Sequence, residues 1–179
     1  MNILIACEES QVVTKEFRHR GHNAFSCDIL EPTGEHPEWH TQGDVSKLIN
    51  GRCIFKTMDG KSHEIKGKWD MIIAFPPCTH LAVSGARHFE EKRKDGRQRE
   101  AIEFFIQFIN ADCDKIVVEN PVNIISGKYI GKHYPDLVEK YNFAIIPILY
   151  IHPYEFGHSV IKISALWILP SAKRTPIAV

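Results

Sequence analysis

Two residues of this chain could act together on a small, electron-poor ring. Cys78 lies in Ile72-Ile73-Ala74-Phe75-Pro76-Pro77-Cys78-Thr79-His80, and Glu119 lies in Val117-Val118-Glu119-Asn120. A thiolate is a soft nucleophile that attacks electron-poor carbon, and a carboxyl group can donate a proton or hydrogen-bond to a ring nitrogen. Each residue follows an apolar run of strand character. Prolines end strands because they bring no N–H to the ladder, so Pro76 and Pro77 should leave Cys78 on a stiff loop past a carboxyl end. Open α/β sheets bind ligands at that edge. Neighbouring strands lie about 5 Å apart, so groups beyond two such ends can face one ligand. The two residues alone leave a plainer alternative open, in which Cys78 is a small buried hydrophobe and Glu119 a helix-capping acid.

The surrounding pattern supplies the elements that would position them. Residues 2–7 (NILIAC) predict a buried strand, and Ser10 predicts an N-cap for a helix through VVTKEFRHR that ends at Gly21. Residues 23–29 predict a second strand stopping at Asp28, which completes the strand–helix–strand opening of a parallel sheet. Residues 32–40 read as loop and residues 44–49 as a short helix. Residues 52–58 and 61–66 flank Asp59-Gly60, a hairpin turn signal, and this hairpin at about 52–66 reads as an insertion because it interrupts the alternation. A strand follows at 68–75, a helix at about 90–112 with a charged start and an apolar later face, and a strand at 115–118. The apolar runs 143–150 and 161–169 predict an antiparallel hairpin at the sheet edge. The expectation is one domain over residues 1–179.

Composition narrows the classes. The chain has 179 residues, with 22 basic and 22 acidic side chains and a formal charge of zero. That balance argues against strong nonspecific nucleic-acid binding, which needs a local excess of Lys and Arg. No apolar run reaches the roughly 18 residues that span a bilayer, and Glu8-Glu9 interrupts any export-signal core. Five cysteines without a CxxC pair suit free thiols in a reducing cytosol, so a cytoplasmic location is expected. Ten histidines invite a metal site, with His36 and His40 or Cys78 and His80 as ligands, but no knuckle spacing supports one. The basic residues between Arg87 and Arg99 are interleaved with Glu90, Glu91, Asp95 and Glu100. They read equally as phosphate contacts over the Cys78 loop or as a solvated helix face.

Taken together, Pro76-Pro77-Cys78 with Ser84-Gly85 resembles the Pro-Cys loop of DNA cytosine-5 methyltransferases, and Val117-Val118-Glu119-Asn120 resembles their Glu-Asn motif. Both stand in the family's order, each after a strand, and the resemblance covers about residues 2–127. It implies a Rossmann-like class I S-adenosylmethionine-dependent methyltransferase fold, with a mostly parallel sheet and an antiparallel edge hairpin. It implies that Cys78 adds to C6 of cytosine, that Glu119 engages N3 and the exocyclic amine, and that C5 takes a methyl group from S-adenosylmethionine. Asp28 matches the acid that holds the cofactor's ribose, and Asp44 the residue near its adenine. Ala6, Glu8, Glu9 and Pro76 would complete the cofactor site. Pro77, Ser84, Gly85, Arg87, Asn120 and Lys162 would meet the substrate, either DNA with a flipped base or a pyrimidine nucleotide.

The sequence also departs from that pattern. The family's glycine-rich first turn is here Ala6-Cys7-Glu8-Glu9-Ser10-Gln11, without glycine. Thr79 stands for a Gln, Pro121 for a Val, and the Gln-Arg-Arg motif has no clear match; His152, His158 and Lys162 are its nearest counterparts. The chain ends at Val179, so the expectation is a minimal catalytic core without a target-recognition domain. Such a core would have low sequence specificity, would work with a partner or as a homo-oligomer, or would act on a free nucleotide. A noncatalytic binding protein with the same fold is the remaining alternative.

Overall fold

The computed structural model of the chain describes residues 1–141, 149–157 and 163–170. In chain order its elements are β1 (Asn2–Ala6), α1 (Val12–His19), β2 (Asn23–Asp28), β3 (His40–Gln42), β4 (Cys53–Lys56), β5 (Ser62–Ile65), β6 (Met71–Ala74), α2 (Phe89–Lys94), α3 (Arg97–Ile109), β7 (Lys115–Pro121), α4 (Gly127–His133), α5 (Pro135–Tyr141), β8 (Leu149–Ile151) and β9 (Ser164–Pro170). Seven strands form one sheet in the order β3-β2-β1-β6-β7-β9-β8. The first five are parallel, and β9 runs antiparallel to both of its neighbours. The mostly parallel sheet with an antiparallel pair at one edge is therefore present, with β9 inserted between β7 and β8. Residues 143–148 and 161–162, parts of the two predicted runs, lie outside the described residues.

Side-chain alternation distributes the core over both faces. On one face Leu4, Ala6, Ile72, Ala74, Ile116 and Val118 pack with Ile102, Phe105 and Phe108 of α3. On the other, Ile3, Ile5 and Ala24 pack with Val13 and Phe17 of α1 and with Met71 and Phe75. Burial on both faces explains why the strands read as continuous apolar runs. From β1 the chain moves outward to β2 and β3, then returns to lay β6 on the other side of β1. That reversal puts a crevice beyond the carboxyl ends of β1 and β6.

Four local expectations change. The N-cap of α1 is Gln11, in a left-handed conformation (φ 57°), rather than Ser10. Residues 32–40 are not all loop, because a short helical turn (Pro37–Trp39) leads into β3, whose polar HTQ carries no strand pattern. The helix at 90–112 is split into α2 and α3 by Gly96 at φ 87°, a backbone conformation that suits glycine and cannot continue a helix. Finally, β7 continues to Pro121 because β9 pairs with it along its whole length. The hairpin around Asp59-Gly60 forms as β4 and β5, a separate two-stranded sheet.

Candidate active site

Glu119 and Asn120 separate the two faces of the sheet. Residues Ile116, Val118 and Asn120 are buried, while Val117 and Glu119 are half-buried. Since Ala74 pairs with Val118, Phe75 lies across from Glu119 on the α1 face. Asn120 turns instead toward the α3 face and is 1% exposed. Its Nδ2 donates to the Pro76 carbonyl at 2.7 Å, and its Oδ1 accepts from Asn123 Nδ2 at 2.8 Å. Asn120 was expected at the substrate; its side chain is used inside the fold, to hold the Pro-Cys loop.

That loop is fastened at several points. The Cys78 carbonyl accepts from the N–H groups of Leu81 and Ala82, both at 2.9 Å. Val83 N donates to Val122 O at 3.1 Å, Ile124 N donates to Leu81 O at 3.1 Å, and Ala82 bridges to Asn123. Lys92, buried on α2, donates from Nζ to the Thr79 carbonyl at 2.7 Å. Gln98, fully buried on α3, reaches the His80 carbonyl and accepts from the hydroxyls of Tyr129 and Tyr134. The half-buried Cys78 thus sits on a loop clamped to the segment that follows Glu119. Pro76 is buried and Pro77 exposed.

The crevice beside β1 holds an open cleft of about 270 Å³, lined by Cys7, Glu8, Glu9, Ser10, Val12, Val13 and Phe75. Phe75 ties this cleft to the face that carries Glu119. Ala6 ends β1 beneath it, fully buried. The turn keeps left-handed backbone at Cys7 (φ 58°) and Gln11 (φ 57°), conformations usually left to glycine. Gln11 helps to hold it in place: fully buried, it donates from Nε2 to His36 O at 2.9 Å and accepts from His36 N at 3.1 Å. The glycine that matters comes from elsewhere. A Cβ on Gly34 would lie 2.6 Å from Ser10 O and 2.5 Å from Gln11 Cβ, so only glycine lets that loop close on the turn.

The two acids of the turn separate. Glu8 is buried, and its carboxylate accepts from Val13 N at 2.6 Å, Thr14 N at 3.2 Å and Thr14 Oγ1 at 2.6 Å. It caps the head of α1, so its carboxylate is engaged there although the residue also lines the cleft. Glu9 is half-buried and accepts from Thr33 Oγ1 at 3.0 Å. At the end of β2, Asp28 is half-buried, and its Oδ1 accepts from Leu30 N at 2.9 Å. Ile29 and Leu30 beside it are exposed apolar residues. Asp44 is exposed and caps a helical turn; the backbone N–H of Ser46, then the Ser46 side chain, hold its carboxyl below the usual range. These acids converge on the end of β1. The Cys7 thiol is pushed up to about 12, first by burial, then by Asp28, Cys27 and Asp44.

Ser84 and Arg87 are exposed and Gly85 half-buried on the helical turn Val83–His88; Lys162 lies outside the described residues. The basic run is mostly engaged. Lys94 pairs with Glu90, Arg97 with Glu91 and Asp95, and Arg99 with Glu103 and Asp136. Arg93 donates to the Tyr129 hydroxyl at 3.0 Å. Nothing in the sequence pattern marks Lys92, Gln98 or Gln11 as clamps, because their partners are main-chain carbonyls far along the chain.

No protein-family model matches the chain, and a search of curated proteins finds no match. Among solved structures, it superposes on a candidate DNA modification methyltransferase encoded within a prophage, from E. coli, with a TM-score of 0.58 and 16% identity; 99% of this chain and 49% of that one are covered. The chain thus spans about half the length of that protein, and the likeness establishes a Rossmann-like α/β fold shared with it. A second structure, WbdD, gives a TM-score of 0.44 at 14% identity over 93% of this chain and 35% of that one, too loose to carry an argument.

Proposed function

We propose that this chain transfers a methyl group from S-adenosylmethionine to C5 of cytosine in DNA, with Cys78 as nucleophile. The observation that carries the reading is the clamp of the Pro-Cys loop onto the Glu-Asn segment, with Glu119 on the same face as the cleft at the β1–β6 crevice. The prophage methyltransferase is consistent with it in fold and in its DNA-modifying description.

The residues present fit the cofactor. The cleft, just under the roughly 300 Å³ at which small-molecule sites begin, suits the methionine end. Glu9 is the acid left to face its amino group. Asp28 Oδ2 has no hydrogen-bond partner among the described residues and would be free to take the ribose hydroxyls, and exposed Ile29 offers an apolar surface for the adenine. When bound, the cofactor supplies an electrophilic methyl group on sulfonium.

Cys78 thiolate forms a bond to C6, and the electron pair of the C5–C6 double bond moves toward C5. Glu119 holds N3 and the amine and stabilises the charge that develops there. With the methyl group that the cofactor would supply at C5, loss of the C5 proton to solvent or a base would return its electron pair to the C5–C6 bond, and the C6–S bond would break to release the Cys78 thiolate and restore the ring. A cytosine in duplex DNA must first leave the stack, at a cost of a few kcal/mol.

The ion pairs of Lys94, Arg97 and Arg99 favour a second reading, the same chemistry on a free pyrimidine nucleotide, since among the described residues these cations are already engaged by acids. The test is methyl transfer from labelled cofactor to single-stranded DNA, duplex DNA and dCMP, with nucleoside analysis for 5-methylcytosine. Product on DNA that is absent in Cys78→Ser supports the reading; product on dCMP alone replaces it with the second; none on any substrate overturns both.

A further inference from the structure

β3, at the sheet edge opposite β8, is polar throughout: it reads His40-Thr41-Gln42. In its register with β2, His40 pairs with Ser26 and Gln42 with Asp28. A buried polar side chain is costly unless its groups are bonded. His40 is fully buried, and both of its ring nitrogens are used. A carbonyl can only accept, so Nε2–H donates to Leu30 O at 3.1 Å, and Nδ1, 2.9 Å from Ser26 Oγ, accepts the serine hydroxyl. Burial pushes the pKa of the ring down, which keeps it in this neutral form at pH 7. Gln11 Nε2 donates to Ser26 Oγ at 3.3 Å, so the same network reaches the turn beside the cleft.

At its other end the network meets Asp28 through Leu30. The Leu30 carbonyl is held by His40, and the Leu30 N–H donates to Asp28 Oδ1 at 2.9 Å. Residues two apart on a strand share a face. Gln42, on the His40 side of β3, donates from Nε2 to Ile29 O at 3.1 Å. The two carbonyls that follow Asp28 therefore hang from β3, while Thr33 N ties the far end of the loop to Glu9 O at 2.8 Å. Ile29 is 73% exposed and Leu30 58%, so hydrogen bonds rather than apolar burial set the course of this loop. We infer that His40 is a positioning residue for the cofactor: through Leu30 it fixes the Asp28 carboxylate and the Ile29 surface where ribose and adenine would bind. This inference rests on the proposed S-adenosylmethionine site, because the course of the loop matters to binding only if that half of the cofactor lies there.

Isothermal titration with S-adenosylmethionine alone, without nucleic acid, tests it on the wild type, His40→Asn, His40→Gln and Gln42→Ala. Gln at position 40 brings an amide donor near the place of Nε2 and should hold Leu30 O, whereas Asn is too short to reach it. His40→Asn should bind roughly 5- to 100-fold more weakly, the factor by which one stripped acceptor shifts the loop away from its binding-competent form. His40→Gln should recover most of that loss. Gln42→Ala, an exposed change that keeps the test decisive should His40→Asn fail to fold, should weaken binding by roughly 2- to 10-fold, the worth of one ordinary hydrogen bond. Amide exchange followed by mass spectrometry, without cofactor, gives a second readout. In His40→Asn it should quicken across residues 29–33 and keep the wild-type rate in β1 and β6. Wild-type affinity in both His40→Asn and Gln42→Ala would overturn the inference. So would an equal loss in His40→Asn and His40→Gln with faster exchange throughout the sheet, which would reduce His40 to a packing residue. A wild type that binds S-adenosylmethionine no better than these variants refutes the positioning role alone; a wild type that does not bind it refutes the cofactor site and the positioning role together.

Discussion

Replacing Asn120 tests the clamp that joins the two halves of the site. Asn120 Nδ2 is the donor to the buried Pro76 carbonyl, two residues before Cys78. Asn120→Leu keeps approximate volume, so little cavity cost enters, but it leaves that carbonyl without its partner. A buried acceptor stripped of its donor costs about 1–3 kcal/mol. The second bond lost, from Asn123 Nδ2, is only partly buried and water can replace it, so the deficit should stay in that range. The effect on chemistry should be larger than the effect on folding, because a nucleophile displaced by about 1 Å can lose about 100-fold in rate. Urea unfolding gives the first quantity and the trapping rate with 5-fluorocytosine DNA the second. Asn120→Asp sharpens the test. Its carboxylate would face the Pro76 carbonyl, so its pKa in the fold rises above the unfolded value. The penalty is then absent below about pH 4, near the unfolded pKa, and grows as pH rises through the folded one. An Asn120→Leu protein with wild-type stability and wild-type trapping would refute the clamp.

Three further outcomes follow from the packing around the cleft. Gly34→Ala should cost roughly 1–3 kcal/mol by urea unfolding, the range for overpacking, and weaken cofactor binding by calorimetry, because its Cβ would press on Ser10 O and displace the turn. Glu8→Ala should cost about 1–2 kcal/mol, the worth of a strong helix cap, and full stability in that variant would remove Glu8 from its capping role. Iodoacetamide at pH 8 should modify Cys78 before the other four cysteines: the thiols of Cys7 and Cys27 are pushed up to about 12, chiefly by burial, Cys53 is raised by burial, and Cys113 is enclosed. Peptide mass mapping at short times would show early labelling at Cys7 or Cys27 if that account were wrong.

The sheet was legible because strands buried on both faces write themselves as apolar runs; NILIAC, NAFSCD and MIIA read this way without help. Cys78 was legible because prolines mark where chain leaves a sheet; Glu119 was picked out by the apolar run before it, although it lies inside β7 and not beyond its end. What escaped depends on contacts between distant positions. That Glu8 also caps α1, through Val13 N and Thr14, is not visible in the sequence. Asn120 looks like part of the site until alternation along β7 turns it toward α3. The end of β7 is set by β9, more than 40 residues later, and no local signal reports that pairing. Lys92 belongs by composition to a solvated basic face, yet it is buried against the Thr79 carbonyl.

The central claim is that Cys78 is a nucleophile toward C6 of cytosine. Incubation with S-adenosylmethionine and DNA carrying 5-fluorocytosine should give a covalent protein–DNA adduct, since fluorine at C5 blocks proton loss, and peptide mass spectrometry should place the bond at Cys78. Absence of any adduct on DNA in a protein that binds the cofactor, or an adduct that persists in Cys78→Ser, would contradict it.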